Sequence, residues 1–439
     1  MNALARMAWR NTVKNWRHSL AAIVSISAGF LSLVLFQGYM TDVNQMYEVG
    51  FTNRAMYGHV ILENPLLNTP EGRAESERYL LSPEEQKLLR DFLEQKAPDI
   101  VTTVRFLVGT GTITNGRNSF MFVATGYDLQ EGAIMRAPSW TWETLYGTPL
   151  HLSESPQAIV VGQALGFLLG CVPKQKVAMV QNDGYVPEVR PFECSQSQVQ
   201  MAATTVSGQI NAMNFEVVGL LDAGYKDIDE KWVKTSLANA QQLLNTDRIR
   251  FQTVLLKDEK LIPGFISDFE RFAQDRGLNV KAFFWKEHPV ADLYNKTQSL
   301  LGIFQIFIVT VILLIASLSV LNTVVKSVKE RTREIGTLRS LGFTGQQVRF
   351  VFALESLYLS WLGVGLGAAL ALITTFAVNQ AEIPYRAGLL SEPVLFQIAI
   401  DFESYVLCTV LLCFLAIVAS QMAVLGTVRA HVAGNLTSV

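Results

Sequence analysis

Four long stretches of the chain contain no Asp, Glu, Lys or Arg, and they limit the possible folds more than any other feature. They cover residues 19–41, 297–325, 356–381 and 404–428. A helix of about 20 residues crosses a hydrocarbon core of roughly 30 Å, so each stretch is long enough. Buried helices of a soluble protein are the alternative, but those usually carry a polar face and are shorter. The four stretches therefore predict four membrane-spanning helices.

Composition agrees with this interpretation. Hydrophobic residues make up 50% of the chain and charged residues only 17%, and the mean hydropathy is positive. An ordinary soluble domain is richer in charge. We therefore expect an integral membrane α-helical protein with four transmembrane helices, and with a large extracytoplasmic α+β domain between the first two.

The charges that flank the apolar stretches predict the topology. Arg6, Arg10, Lys14 and Arg17 precede the first stretch, and basic residues also dominate the segment between the second and third stretches. The segment between the third and fourth is mainly acidic. Because positive charge marks cytoplasmic segments, we expect both termini to be cytoplasmic in a multi-pass membrane protein. A cleaved signal peptide is the alternative for the first stretch, which exceeds the usual apolar length of about 7–15 residues.

This topology divides the chain into nine segments. They are a cytoplasmic N-terminal segment (1–18), helix 1 (19–41), an extracytoplasmic α+β domain of two subdomains (42–296), helix 2 (297–325), a cytoplasmic segment (326–349), helix 3 (350–380), an extracytoplasmic linker (381–403), helix 4 (404–428) and a cytoplasmic tail (429–439). The domain is large enough to bury a core of its own.

Within that domain, strand-like runs alternate with helical stretches. "HVILEN" reads as a strand, and "SPEEQKLLRDFLEQK" predicts a helix over about 83–96 with Ser82 as its N-cap. The stretch from 103 to 128 predicts two or three strands with a turn at Asn115-Gly116. The order of these runs indicates an α+β domain with a mixed sheet.

Two of the four cysteines, Cys171 and Cys194, lie in the predicted extracytoplasmic domain, and none lies in a predicted cytoplasmic segment. An oxidising compartment would allow a disulfide between them. Two unpaired thiols are the alternative, since the sequence does not tell how far apart they lie in the fold.

A charged segment, "KERTREIGTLRSLGF", follows the second apolar stretch directly. Glu330, Arg333 and Glu334 have the spacing of helical ion pairs. Ile335, Leu338 and Leu341 form an apolar edge that we expect to be buried against a partner, and Gly336 and Gly342 are expected to interrupt or end the helix. A loop that binds anionic lipids is the alternative. It accounts for the arginines but not for the glutamates, the apolar edge or the glycines.

Two further positions stand out. Glu355 lies near the start of the third apolar stretch, where a carboxylate is costly unless it is paired or near the interface. We expect an arginine of the charged segment to be its partner, while an interfacial glutamate in contact with water is the alternative. Gly363 and Gly367 have the spacing that allows two helices to approach closely, with contact between protomers as one option.

These motifs resemble the FtsX/MacB-type ABC transporter permeases, the group that includes macrolide-export and lipoprotein-release permeases. The resemblance is carried by "IVVGQALGFLLG", by "NFEVVGLLDAG" and above all by residues 325–367. It implies that the charged segment is a coupling helix that docks on a separate ATPase. The residues that match the family pattern are Glu330, Arg331, Arg333, Glu334, Gly336, Leu338, Arg339 and Gly342, with Glu355 matching the acid near the start of helix 3.

The chemistry that the chain lacks agrees with a non-catalytic subunit. No Gly-Lys dipeptide occurs, so the phosphate-binding loop of ATPases is missing, and the five histidines have no zinc-site spacing. We therefore expect no cofactor or metal in this chain, with ATP and Mg²⁺ bound by the partner ATPase.

The resemblance also implies a function and a set of partners. The expected function is mechanotransmission, which couples ATP hydrolysis to extraction or export of a lipoprotein, lipid or amphipathic substrate. Efflux of a peptide or antibiotic, and activation of a periplasmic enzyme without transport, are the alternatives. Expected partners are ATPase subunits, a second copy or paralogue of the permease, and a periplasmic acceptor or adaptor, with no nucleic acid.

Overall fold

The structure is a computed structural model that describes residues 3–14, 16–138, 140–174, 189–223, 226–385 and 394–429. The predicted tail therefore lies almost wholly outside the described residues, as does the middle of the predicted linker. The chain divides into two compact units. We call residues 1–44, 298–383 and 396–439 the helical unit, and residues 45–297 and 384–395 the sheet unit.

Helices and strands follow one another along the chain in this order. The helices are α1 (Ala3–Lys14), α2 (Trp16–Val49), α3 (Pro70–Ala74), α4 (Pro83–Gln95), α5 (Leu129–Arg136), α6 (Gln163–Leu168), α7 (Lys226–Asp229), α8 (Leu237–Leu244), α9 (Ile262–Arg276), α10 (Asp292–Glu330), α11 (Thr332–Ser340), α12 (Gly345–Gln380) and α13 (Phe402–Arg429). The strands are β1 (Val60–Glu63), β2 (Ile100–Thr114), β3 (Ser119–Tyr127), β4 (Tyr146–Gly147), β5 (Ala158–Gly162), β6 (Cys171–Pro173), β7 (Phe192–Cys194), β8 (Gln198–Thr204), β9 (Ile210–Leu221), β10 (Trp232–Ser236), β11 (Phe251–Leu256), β12 (Lys281–Phe284), β13 (Pro384–Tyr385) and β14 (Val394–Leu395).

Four helices of the described chain, α2, α10, α12 and α13, are long and apolar enough to cross a membrane. With 34 and 39 residues, α2 and α10 are longer than a bilayer core requires. At about 1.5 Å per residue they measure roughly 50 and 60 Å, against a core of about 30 Å. Both helices therefore continue well beyond the predicted spans 19–41 and 297–325.

The helical unit is held together by apolar packing and by a few polar contacts between helices. Ile26 and Phe30 of α2 share one buried cluster with Ala316 of α10 and Leu412 of α13. Between α2 and α10, the Gln305 side-chain amide donates to the Gln37 amide oxygen at 2.6 Å, and Ser319 donates to Ser25 at 2.9 Å. Such bonds stabilise helix pairs modestly where water is excluded.

Residues 396–401, which precede α13, are fastened to the end of α12 and to Gly38 within α2. Asn379 of α12 accepts from the backbone N–H of Ile398 and donates to its carbonyl, at 2.9 and 3.1 Å. The backbone N–H of Ala399 donates to the carbonyl of Gly38 at 3.1 Å. A Cβ at Gly38 would lie 2.4 Å from the Ala399 oxygen, so only glycine allows this approach.

The sheet unit is built on a large sheet whose described strands have the order β12-β1-β11-β2-β3-β10-β5-β9-β4, with β8 pairing to β2 and β9. The β3–β10 and β5–β9 pairs are parallel and the other pairs are antiparallel. The predicted mixed sheet is therefore confirmed. Apolar clusters lie on it, one formed with α4, α8 and α9 and another around Met56, Tyr127 and Trp285.

Local signals in the sequence placed several of these elements correctly. The predicted helix over 83–96 is α4, whose Ser82 hydroxyl accepts from the Glu85 N–H while the Glu85 carboxylate accepts from the Ser82 N–H. This reciprocal capping satisfies two donors at the helix start. The turn predicted at Asn115-Gly116 joins β2 to β3, and Gly116 has a φ of +84° there.

Candidate functional site

Between α10 and α12 the chain folds into a short bent connection, residues 331–344, which we call the elbow. Arg331 separates the end of α10 from the start of α11, with φ −107° and ψ 16°. At the other end, Gly342 has a φ of +94°, and the backbone N–H of Phe343 donates to the carbonyl of Leu338 at 3.1 Å. Glycine ends helices in this way because it has no Cβ to clash in the left-handed region.

The start of α12 is fixed by its own cap. The Thr344 hydroxyl accepts from the backbone N–H of Gln347, and the Gln347 side chain accepts from the Thr344 N–H. This reciprocal pair satisfies donors that would otherwise lack partners. The elbow is thus bounded by a break at Arg331 and a cap at Thr344, and both are encoded locally.

An ion pair joins the elbow to α12. The Arg331 guanidinium lies 2.6 Å from one Glu355 carboxylate oxygen through Nη1, and 2.7 Å from Glu334 through Nε. Arg331 and Glu355 retain only 9% and 6% of their exposure. The prediction that an arginine of the charged segment pairs with Glu355 is confirmed.

The surroundings of this pair make it selective for arginine. The Arg331 guanidinium also lies over the Phe352 ring, 5.1 Å from its centroid. A planar guanidinium can stack on a ring and donate to two carboxylates at once, which the point charge of a lysine cannot. The second Glu355 oxygen is buried without a hydrogen bond among the described residues. Glu355 therefore depends on Arg331 for its charge balance.

The faces of α11 differ from the sequence-based prediction in one respect. Ile335 is fully buried, but it packs within this chain, in the same apolar cluster as Val328 of α10 and Val348 of α12. Leu338 is partly buried against that cluster, whereas Leu341 is 72% exposed. The expectation that all three leucine and isoleucine side chains form an edge for a partner is wrong, since only Leu341 is fully available.

Gly336 was also misplaced. It lies inside α11 and is buried, so it does not interrupt the helix. Of the other residues of the predicted coupling set, Glu330, Arg333 and Glu334 are exposed and Arg339 is half-buried. The structure therefore brings Arg331, Glu334 and Glu355 together and leaves Arg333 on the outer face.

Gly363 and Gly367 pack against α2 of the same chain. A Cβ at Gly363 would lie 2.8 Å from the Ile26 Cβ, and one at Gly367 would lie 2.9 Å from the Ser27 carbonyl oxygen. Close helix packing is thus the role of this spacing. The suggested contact between protomers is wrong for these two positions, because the neighbouring helix belongs to the same chain.

Alanine at these glycines separates packing from helix propensity. We expect Gly367→Ala to lower the unfolding midpoint of the purified chain, at a cost of about 1–3 kcal/mol for overpacking. Gly365→Ala is the matched control, because its Cβ meets nothing within 4 Å. There the usual preference of helices for alanine should leave stability unchanged or raised. Equal effects of the two substitutions would contradict the packing role.

The C-terminal part of the chain is similar to known permeases. Residues 306–432, which include the elbow, match the family model "FtsX-like permease C-terminal". The macrolide export ATP-binding/permease protein MacB of Bdellovibrio bacteriovorus is 24% identical over 189 residues, and the pyoverdine export ATP-binding/permease protein PvdT of Pseudomonas putida is 26% identical over 180. Over residues 306–432 the chain is an FtsX-like permease.

The matched parts are limited in extent. Each of these two alignments covers 40% of the permease and 28–29% of the relative. MacB of Escherichia coli K12 is 30% identical over 97 residues, which are 22% of the permease and 15% of that relative. The permease thus matches under a third of the length of these relatives.

Two solved structures are similar to the permease at low identity. The extracellular domain of the transporter YknZ from Gram-positive bacteria has a TM-score of 0.32 and 12% identity, over 51% of the permease and 98% of that chain. The periplasmic region of MacB from Actinobacillus actinomycetemcomitans has a TM-score of 0.32 and 13% identity, over 55% and 92%.

In the sheet unit of the permease, Cys171 and Cys194 form a disulfide. They lie directly opposite each other on the antiparallel strands β6 and β7. Short strands of this kind are weak by themselves, and a cross-link at their end limits fraying. The bond needs an oxidising compartment to form. Cys408 and Cys413 of α13 are unpaired.

A buried ionic cluster in the sheet unit was not predicted. Glu143 accepts from Tyr127 at 2.7 Å and from Lys234 at 3.0 Å, and its carboxylate lies 3.5 Å from Arg136. All four residues are at least 95% buried. Burial alone would raise the pKa of Glu143, but the charges of Arg136 and Lys234 and the two hydrogen bonds lower it to about 2. Burial lowers the pKa of Lys234 to about 8 despite Glu143.

No sequence signal pointed to this cluster, because 91 residues separate Glu143 from Lys234.

A smaller buried pair joins Glu63 to His288 at 2.7 Å. His288 Nδ1 accepts from the Val290 N–H, so the proton lies on Nε2 and is donated to Glu63. Within the described ranges, no three His, Cys, Asp or Glu side chains are placed to hold a metal ion.

Proposed function

We propose that the chain is the non-catalytic membrane subunit of an ABC transporter, and that it transmits the work of ATP hydrolysis in a partner chain to an extracytoplasmic sheet unit. The expected result of that work is extraction or export of an amphipathic substrate. The observation that carries the proposal is the buried Arg331–Glu355 pair, which fastens the elbow to a membrane-spanning helix.

The elbow is suited to receive force on one side and to pass it on from the other. Its inner side shares one apolar cluster with Val328 at the end of α10 and with Val348 near the start of α12. Its outer side presents Arg333 and the exposed Leu341. Because packed interiors are stiff, a displacement of α11 moves the ends of α10 and α12 with it. A docked ATPase at the outer side would therefore act on two long helices at once.

The names of the relatives favour export as the class of activity. The relatives are a macrolide export protein and a pyoverdine export protein, each described as ATP-binding/permease. We extend this to an amphipathic cargo, with a lipoprotein or lipid as one option and a peptide or antibiotic as the other. Activation of a periplasmic enzyme without transport is the second candidate function.

The remaining features of the proposal concern assembly and location. ATP and Mg²⁺ would bind in the partner ATPase, and a second copy or paralogue of the permease would complete the transporter. The similarity to FtsX-like permeases favours an inner-membrane location. The charge distribution of the connecting segments favours a cytoplasmic location for both termini and the elbow. A periplasmic acceptor or adaptor would then meet the sheet unit.

Co-purification tests the proposal. The tagged full-length chain is isolated from native membranes in mild detergent, and retained proteins and lipids are identified by mass spectrometry. We expect an ABC ATPase in a stoichiometric amount. Leu341→Asp should reduce its recovery roughly tenfold or more, since a lost apolar anchor costs at least about 1–2 kcal/mol of binding.

Leu152→Asp is the matched control, because Leu152 is 53% exposed but lies in the sheet unit. Its recovery of ATPase should equal that of the unmodified chain. The absence of any ATPase from the unmodified chain would overturn the proposal. Co-purified lipoprotein or lipid would identify the cargo class, whereas a retained periplasmic hydrolase without cargo would favour the regulatory function.

A further inference from the structure

The first helix, α1, is a basic amphipathic helix. Ala8 and Thr12, one turn apart, are buried at 0% and 4% exposure. Arg6, Trp9 and Arg10 are exposed. Helices of this composition lie in the surface of a membrane, with the apolar side inward and the basic side among the lipid headgroups. The buried side of α1 is occupied by the protein itself, since α1 packs against α12.

Contacts within the helical unit give the depth at which α1 lies. The Trp9 ring packs edge-on against the Tyr358 ring of α12, with centroids 5.6 Å apart. Further along α12, Gly363 meets Ile26 and Gly367 meets Ser27 and Phe30, so α2 and α12 run parallel. Tyr358 precedes Gly363 by five residues. Because Gly363 lies beside Ile26, Tyr358 lies level with about residue 21 of α2.

Residue 21 is close to the point where the first uncharged stretch begins, at residue 19. This is the boundary between the hydrocarbon core and the headgroups. Trp9 and Tyr358 are the kind of amphipathic rings that are enriched there. The packing of α1 on α12 thus places Arg6 and Arg10 at headgroup level.

The charges at this level lack a counter-ion from the neighbouring sequence. The chain has no Asp or Glu anywhere in residues 1–41. Arg6 and Arg10 are four residues apart on one helix face, an arrangement that destabilises an isolated helix through repulsion. Among the described residues, neither side chain forms an ion pair with a carboxylate. An anion bound between the two would remove the repulsion.

We propose that Arg6 and Arg10 form a binding site for the headgroup of an anionic phospholipid, with Trp9 inserted beside the acyl chains. The phosphodiester accepts from both guanidinium groups, which suit phosphate geometry. A lipid fits better than an acidic protein segment, because the depth of α1 brings headgroups to it without any further partner. The site does not depend on the proposed transport function, since it requires neither the ATPase nor a cargo.

Lipid nanodiscs provide the test. The purified full-length chain is reconstituted in phosphatidylcholine and in a 7:3 mixture of phosphatidylcholine and phosphatidylglycerol. The anionic lipid in the mixture attracts basic side chains to the bilayer surface. Native mass spectrometry after release counts the phosphatidylglycerol retained. Each basic residue near an anionic surface raises the binding constant roughly fivefold. Arg6→Gln/Arg10→Gln should therefore reduce the retained phosphatidylglycerol by roughly thirtyfold at most and several-fold at least.

Two variants make the outcome decisive. Arg117→Gln/Arg276→Gln removes the same charge from exposed positions of the sheet unit and should retain phosphatidylglycerol like the unmodified chain. Arg6→Lys/Arg10→Lys keeps the charge and should retain most of the binding. The unfolding midpoint in pure phosphatidylcholine should be the same for all variants, which shows that each has folded. Equal retention by the Gln variant and its control would overturn the proposal, as would an acidic protein co-purifying in place of lipid.

Discussion

Replacement of Arg331 by alanine is expected to destabilise the chain by about 3–5 kcal/mol, because it leaves the buried Glu355 carboxylate without a partner. Glu355 is only 6% exposed, and its second oxygen already lacks a hydrogen bond among the described residues. Water cannot readily replace the guanidinium at this position. The measurement is the apparent unfolding midpoint of the purified full-length chain in detergent, with recovery of the proposed ATPase partner as a second readout.

Removal of both charges separates stability from coupling. Arg331→Met/Glu355→Leu should restore most of the lost stability, since apolar residues of similar size often replace buried ion pairs without cost. If the pair also transmits force, the ATPase-dependent activity of this double variant should stay low even though its stability is restored. Arg333→Ala, on the exposed face of the same helix, should change the midpoint by under about 1 kcal/mol. A midpoint for Arg331→Ala as high as that of Arg333→Ala would contradict the structural role of the pair.

Replacement of Glu143 by glutamine is expected to have an effect at least as large, because it leaves Arg136 and Lys234 buried together without an acid. We expect a loss of about 3–5 kcal/mol or more. Lys234→Met should cost less, since the Glu143–Arg136 pair then remains balanced at one charge each. The measurement is again the unfolding midpoint of the full-length chain. A larger loss for Lys234→Met than for Glu143→Gln would contradict this order.

The same cluster predicts how stability depends on pH. The pKa of Glu143 falls from 4.5 to about 2 on folding. Its contribution to the free energy of unfolding is therefore complete above pH 4.5 and is lost as the pH falls towards 2. The pKa of Lys234 falls from 10.5 to about 8, so between those values the unfolded chain binds the extra proton and stability rises with pH. The unfolding midpoint is measured at pH 3, 4 and 6. As the pH falls, it should decrease less in Glu143→Gln than in the unmodified chain.

Features that depend on a few neighbouring residues could be predicted from the sequence. The uncharged stretches gave the long apolar helices, because a chain in a hydrocarbon core must satisfy its backbone internally and cannot carry free charge. The cap at Ser82 and the turn at Gly116 follow from the same kind of short-range chemistry. The partner of Glu355 was predictable as well, since the nearest basic segment lies just before it in the chain.

Features that depend on which distant surfaces meet were decided only by the tertiary structure. The apolar residue Ile335 could face a partner or its own chain, and packing with Val328 and Val348 chose the latter. The glycine pair of α12 could serve any helix, and α2 is the one it meets. The cluster around Glu143 unites residues up to 91 positions apart, so no local pattern reveals it. Periodicity and charge act over a few residues and are readable from the sequence, whereas the burial of a particular side chain depends on the shape of every element packed around it.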